Sequence, residues 1–195
     1  MGRPPKSAAK SAEKPLSIFV DWKPCKANRL ETLYSPTTGF PMVVLDTNVV
    51  LDATLFRDRT CTLLNEHLDT GQLRWIASSA MRAELAHVLS RPVFDARRQF
   101  ESLVWARWDS RCQPSEPRAL AGAALRMRCT DPDDQIFIDL ALSSGARWLL
   151  SRDRAVLKLA RRSRALGLSI LTPAAWAAQA SELHPEKGGP QAAFR

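Results

Sequence analysis

Ten residues, Pro41-Met-Val-Val-Leu-Asp-Thr-Asn-Val-Val50, constrain the fold of this chain more than any other stretch. Val43, Val44 and Leu45 run into Asp46, with Asn48 two positions on and no glycine-rich turn between them. A short unbroken apolar run suits a strand buried on both faces, as parallel strands are. An acid at the C-terminal end of such a strand stands where open α/β sheets hold their ligands. Asp46 also suits the simple role of capping the next helix. Whether further acids reach the same edge separates the two readings.

The chain has 195 residues, 45% of them hydrophobic, enough for one well-buried domain plus tails. A formal net charge of +8 favours a polyanionic partner, either nucleic acid or an anionic surface. No apolar run reaches the roughly 18 residues of a membrane span, which argues against an integral membrane protein. The N-terminus lacks the apolar core of a secretory signal. Cys25, Cys61, Cys112 and Cys129 are widely spaced, with no C-x-x-C and no histidine at metal spacing, which points to reduced, structural thiols in a cytoplasm. His67, His87 and His184 are scattered and carry no assigned chemistry.

Residues 1–16, rich in Lys, Ala, Ser and Pro, read as a disordered basic arm, and 17–40 as an irregular extension. The folded domain is expected over 41–182, with a flexible tail over 183–195. Within it, a strand at 42–46 leads to a helix at about 58–70 that stops at Gly71. A strand over 73–77 precedes a helix over 79–90, opened by Ser78-Ser79 and closed before Pro92. A helix is predicted over 95–110, and Pro114 and Pro117 then break the chain. A helix at 132–144, a strand at 147–151, a helix at 154–165, a strand at 168–171 and a helix from Pro173 follow. Strands alternating with helices make an α/β domain with a parallel sheet covered on both faces.

Three further acids stand at comparable places. Glu84 flanks the Met81, Leu85 and Val88 stripe of its helix, where a carboxylate is drawn partly out of water; pairing with Arg82 or Arg91 is the alternative. Asp131, Asp133 and Asp134 crowd one turn. Asp131 suits an N-cap, Pro132 the first helical position and Asp134 a capping box, but three acids exceed what capping needs, and Asp134 is best placed to point inward. Asp153 follows the buried run Trp148-Leu-Leu150 and could cap the next helix or join the same edge. Asp46, Glu84, Asp134 and Asp153 are therefore predicted to meet. Carboxylates within roughly 5 Å raise one another's pKa, and a divalent cation relieves them. Oxygen donors without His or Cys favour Mg²⁺ or Mn²⁺ over Zn²⁺. Such an ion inside a basic protein suits hydrolysis of a nucleic-acid backbone. Arg152, Arg154, Lys158, Arg161, Arg162 and Arg164 cluster beside Asp153, with 154, 158, 161 and 162 expected on one helical face, as a phosphate track or a solvated polar face. The six tryptophans read as core or interface residues.

With these motifs in hand the chain resembles the PIN-domain ribonucleases, and among them the bacterial toxin components of toxin–antitoxin systems. Leu45-Asp-Thr-Asn-Val49 is similar to the family's opening strand, with Asp46 its first acid. Met81-Arg-Ala-Glu-Leu85 supplies the second, Glu84. Asp131-Pro-Asp-Asp134, followed by Ile138-Asp-Leu-Ala-Leu142 and Gly145-Ala-Arg-Trp-Leu-Leu150, supplies Asp134 with Asp131 nearby, and Ser151-Arg-Asp153 supplies Asp153. The resemblance spans about 41–176. Gln135 stands where many relatives carry Lys, and Ser151-Arg152 replaces the usual Thr-Gly. The resemblance implies a three-layer α/β/α sandwich with a central, mainly parallel sheet, Mg²⁺ or Mn²⁺ as cofactor and an RNA substrate. It further implies an antitoxin encoded nearby and self-association, as a dimer.

The leading expectation is a metal-dependent endoribonuclease, with Asp46, Glu84, Asp134 and Asp153 as metal-binding and catalytic residues. Asn48, Asp131 and Ser151 would orient them, and Arg152, Arg154, Lys158, Arg161 and Arg162 would hold RNA. A non-catalytic RNA- or protein-binding domain is the main competitor. An aspartyl phosphotransferase using Asp46 is the third reading, but that chemistry wants a second Asp where Asn48 stands.

Overall fold

A computed structural model of the chain describes residues 40–183. The 1–16 arm, nearly all of the 17–40 extension and the tail beyond Leu183 lie outside the described residues. The elements run β1 (Met42–Leu45), α1 (Thr47–Leu51), α2 (Thr62–Asp69), β2 (Arg74–Ala77), α3 (Ser79–Leu89), α4 (Glu101–Arg111), β3 (Cys112–Pro114), α5 (Gly122–Leu125) and α6 (Gln135–Ser144). They continue through β4 (Trp148–Leu150), α7 (Arg154–Leu157), α8 (Ala160–Ser163), β5 (Ser169–Leu171) and α9 (Pro173–Leu183).

The strands form one sheet of order β3-β2-β1-β4-β5, and every pairing is parallel. This is the three-layer α/β/α sandwich, a central sheet flanked by helices. Strand order reverses between β1 and β4: the chain steps outward to β2 and β3, then returns to β1's other side. In open α/β sheets the crevice at such a switch point, beyond the strands' carboxyl ends, is where ligands bind. Register fixes what lies there. Leu45 pairs with Leu150, and the Asp46 amide donates to the Leu150 carbonyl at 3.0 Å, so Asp46 and Ser151 leave adjacent strands side by side. Val43, Val44, Leu149 and Leu150 have no exposed surface, which explains the unbroken apolar runs. Trp75 stacks edge-on against Trp108 with ring centroids 4.8 Å apart, and Trp176 is likewise buried, so three of the tryptophans are core residues. No helix among the described residues is long and apolar enough to cross a membrane.

Several boundaries differ from those expected. The segment after β1 is helical, as α1 and then a wider π turn over Asp52–Phe56. Thr47, Val49 and Val50 are middling helix formers by propensity, but all are buried, and packing overrides propensity. The helix expected over 95–110 is α-helical only from Glu101; Pro92–Phe100 is a 3₁₀ run with no fully buried residue, only Phe94 packing partly on the core, so no apolar face draws it into an α-helix. Cys112–Pro114 is a strand rather than a break, and it takes Pro114 because β3 is the sheet's edge. The helix expected over 154–165 is split into α7, α8 and a 3₁₀ turn at Arg164–Leu166. Val156 and Leu159 both turn inward, joined by an i→i+3 bond of 3.0 Å, and the tightened turn breaks the helix. The single helical face of 154, 158, 161 and 162 is therefore lost, though Arg154, Lys158, Arg161 and Arg162 all remain exposed.

Candidate active site

The β1 edge supplies Asp46, only 3% exposed. Its Oδ2 accepts from Asn48 Nδ2 at 2.7 Å and from the Ser151 hydroxyl, and Ser151 has no exposed surface. Oδ1 receives a single, long bond of 3.4 Å from the Asn48 amide. The capping role is thus present but weak, and Oδ1 keeps lone pairs to spare. Burial pushes the Asp46 carboxyl up from the usual carboxylate range, the Ser151 and Asn48 bonds pull it back, and repulsion from Asp153 adds to the rise.

Ser151 ties two acids together, because its Oγ also accepts from the Asp153 amide at 2.9 Å. Asp153 caps α7, accepting from the Ala155 amide at 2.5 Å. Asn48 reaches the same turn, its Oδ1 accepting from the Arg152 amide at 3.2 Å.

Glu84 comes from the first half of α3. Neither arginine expected to neutralise it does so in a direct ion pair: Arg82 pairs with Asp109 at 2.7 Å and lies over Trp105. Thr47 lies beside the carboxylate and offsets part of its rise, while Oε2 is buried with no hydrogen-bond partner among the described residues. Burial raises this carboxyl, and repulsion from Asp46 adds to it.

Asp134 departs from the expected capping arrangement. Helix α6 starts at Gln135, three residues beyond Pro132, and the Asp134 side chain makes no capping bond. Asp131 instead closes a tight turn, accepting from the Asp133 amide at 3.0 Å. Because Asp134 is not used as a cap, its Oδ2 is left buried and unpartnered. Its carboxyl is pushed up to about 7 by burial first, then by Asp46, Asp153, Asp131 and Glu84. Asp134 therefore lies within electrostatic reach of the other three predicted acids.

Among the described residues no three or more His, Cys, Asp or Glu side chains form a group ready to hold a metal ion. The donor chemistry nevertheless fits a hard divalent cation: all oxygen, two buried oxygens without partners, and mutual repulsion that a cation relieves.

Thr47 and the setting of Arg152 were not anticipated. Thr47 lies between Asp46 and Asn48, at the first turn after a strand-ending acid; that position was its only sequence signal. Arg152, expected as the first cation of an RNA track, is committed within the fold: Nε meets Asp52 at 2.5 Å, and the guanidinium meets Asp58 at 2.8 Å and Thr60 at 3.0 Å. It staples the turn carrying Ser151 and Asp153 to the segment after α1. Arg152→Ala is expected to lower stability by about 1 kcal/mol, the upper range for part-exposed pairs, with Asp52 left half-buried and uncompensated. Thermal unfolding checks this, and Arg152→Lys should recover little of the loss because an ammonium cannot span both acids.

The doubly wound parallel sheet brings Asp46 and Ser151 to its switch point, with Asp134 in electrostatic reach of Asp46, Glu84 and Asp153. A family model described as PIN domain matches residues 42–155, more than half of the chain, and the chain belongs to the PIN-domain family. Domains of this family are generally nucleases that use divalent metal ions. Among solved structures the chain is similar to VapBC2 from Rickettsia felis bound to a DNA fragment from their promoter. The match has 16% identity and a TM-score of 0.47 over 66% of this chain and 98% of that one. No curated protein matches the chain.

Proposed function

We propose that this PIN domain is an endoribonuclease dependent on Mg²⁺ or Mn²⁺, with Asp46, Glu84, Asp134 and Asp153 holding the ion. The observation that carries the reading is the pair of buried, unpartnered oxygens on Glu84 and Asp134, in a pocket that also raises three of the four carboxyls. A fold holds such a cluster only where a proton or a counter-charge neutralises it, and a bound cation does so at the pH where the carboxylates are ionised. When bound, the ion would activate water and neutralise charge on the phosphoryl group. The chain's own part is positional. Ser151 and Asn48 hold Asp46 Oδ2, leaving Oδ1 for the ion; Thr47 sits beside Glu84; and Asp131 shapes the turn before Asp134. Arg154, Lys158, Arg161 and Arg162, exposed on α7 and α8, supply positive charge for RNA, while Arg152 acts chiefly as a staple.

The role as a toxin with an antitoxin partner and dimerisation belong to the same proposal and rest on the sequence resemblance, while a cytoplasmic location rests on the widely spaced cysteines. A small DNA-binding protein encoded beside this gene would support the toxin role. For the activity itself, protein stripped with EDTA should leave RNA intact, and added Mn²⁺ or Mg²⁺ should restore cleavage. Equal cleavage in EDTA, or none with either ion, refutes the assignment.

A further inference from the structure

Residues 117–128 take no part in the chemistry above, although the same segment between β3 and α6 goes on to supply Asp131 and Asp134. An open cleft of about 320 Å³ lies between it and α6, walled by Arg118, Leu120, Leu125, Arg128 and Asp139. Leu125 is 51% exposed, a large apolar side chain left at the cleft rim. Arg118 and Arg128 are exposed and have no hydrogen-bond or ion-pair partner among the described residues.

The cleft is built rather than incidental. Gln135 clamps its far wall, donating to the Met127 carbonyl at 3.1 Å and accepting from the Cys129 amide at 2.8 Å, on either side of Arg128. Met127 is buried, which anchors the same stretch. Gln135 Nε2 also holds Asp139 Oδ1 at 2.7 Å, so the other Asp139 oxygen is the one left to accept from a ligand. From α8, Arg162 donates to the Arg126 carbonyl at 3.4 Å, joining the exposed cations of that helix to this wall. Asp139 follows Asp134 by five positions, roughly 7.5 Å of rise at about 1.5 Å per residue.

We infer that this cleft is a nucleotide subsite flanking the cleavage point. Arg118 and Arg128 hold a backbone phosphate, Leu120 and Leu125 cover a base or ribose face, and Asp139 accepts from a 2′-hydroxyl or an exocyclic amino group. Two unpaired guanidinium groups beside an apolar wall and one acceptor match a nucleotide's phosphate, ring and donor. The inference rests on RNA being the substrate.

Binding of a labelled single-stranded RNA octamer to the full chain, followed by anisotropy in EDTA at several salt concentrations, tests it apart from cleavage. R118A/R128A should weaken binding on the order of tenfold and lower the slope of log affinity against log salt by about 1.4, two single-strand contacts. R118K/R128K should retain the slope. R97A/R98A removes the same charge from the 3₁₀ run and should change little. Parental affinity and slope in R118A/R128A overturn the subsite and leave the cleft to a protein ligand; so does an equal loss in R97A/R98A, or no RNA binding by the parent. RNA binding that depends on Arg118 and Arg128, with no cleavage in Mn²⁺, would sustain the subsite while ending the nuclease reading.

Discussion

Asp46→Asn is expected to slow RNA cleavage by on the order of 10²–10³-fold, from several kcal/mol of lost charge stabilisation at about 1.4 kcal/mol per tenfold. The side chain keeps its shape, and an amide oxygen can still accept from Ser151 and Asn48, so the switch-point geometry survives. What disappears is the negative charge at the one acid held by two side-chain donors and lying next to the β4 turn. The fold should not suffer. Burial and Asp153 already disfavour the charged form of Asp46, so a neutral isostere relieves repulsion, and the metal-free variant should melt no lower than the parent. Single-turnover cleavage of a labelled RNA in Mn²⁺, with thermal unfolding of the same samples, separates the two effects. A variant that cleaves as fast as the parent would remove Asp46 from the chemistry; one that fails to fold would show that Asp46 serves the β1–α1 junction.

The sheet was legible because its strands are short runs of buried apolar residues bounded by turn formers: β1, β2, β4 and β5 fall where periodicity puts them, within a residue or so. Elements that local pattern could not reveal are those decided by tertiary burial. Helix α1 carries Thr47, Val49 and Val50, which favour strand by propensity, and it forms because the switch-point crossing buries them. β3 was hidden by Pro114, which only an edge position admits. The start of α6 was misjudged because Asp131-Pro132 has the composition of a helix start, whereas Asp131 closes a local turn.

At the site, the acids could be read because a parallel sheet places strand ends and helix starts on one edge. Their supports could not be read. Ser151 and Asp46 are 105 positions apart, and Arg152 reaches Asp52 and Asp58 across a similar span. Gln135 and Arg152, expected from the resemblance to bear on substrate contact, are structural clamps. Gln135 makes three bonds within the cleft wall and Arg152 bridges two acids; neither partnership follows from spacing alone.

Removing divalent ions should make the protein more stable in mild acid than in mild base. Asp134 titrates at about 7 in the folded chain against an ordinary value of 3.8, so the folded state binds that proton more tightly than the unfolded state does. The stability that this proton supplies is complete below the ordinary value and is lost as pH rises from there through about 7. Asp46, Glu84 and Asp52 are raised and act in the same direction, whereas Asp58, lowered by its Thr60 bonds, acts below this window. In EDTA the melting temperature should therefore fall between about pH 5 and pH 8, and Asp134→Asn should flatten that fall. Mn²⁺ should reverse the trend, since an ion must displace the proton to bind and so stabilises most where the carboxylates are already ionised. A shift of about 2–4 °C per kcal/mol is expected for a chain of this size. Scanning fluorimetry across that range, with EDTA or Mn²⁺, reads both effects. A melting temperature in EDTA that rises with pH, or a Mn²⁺ shift equal at both ends and unchanged by Asp134→Asn, would mean that the four carboxylates do not share one pocket of negative charge.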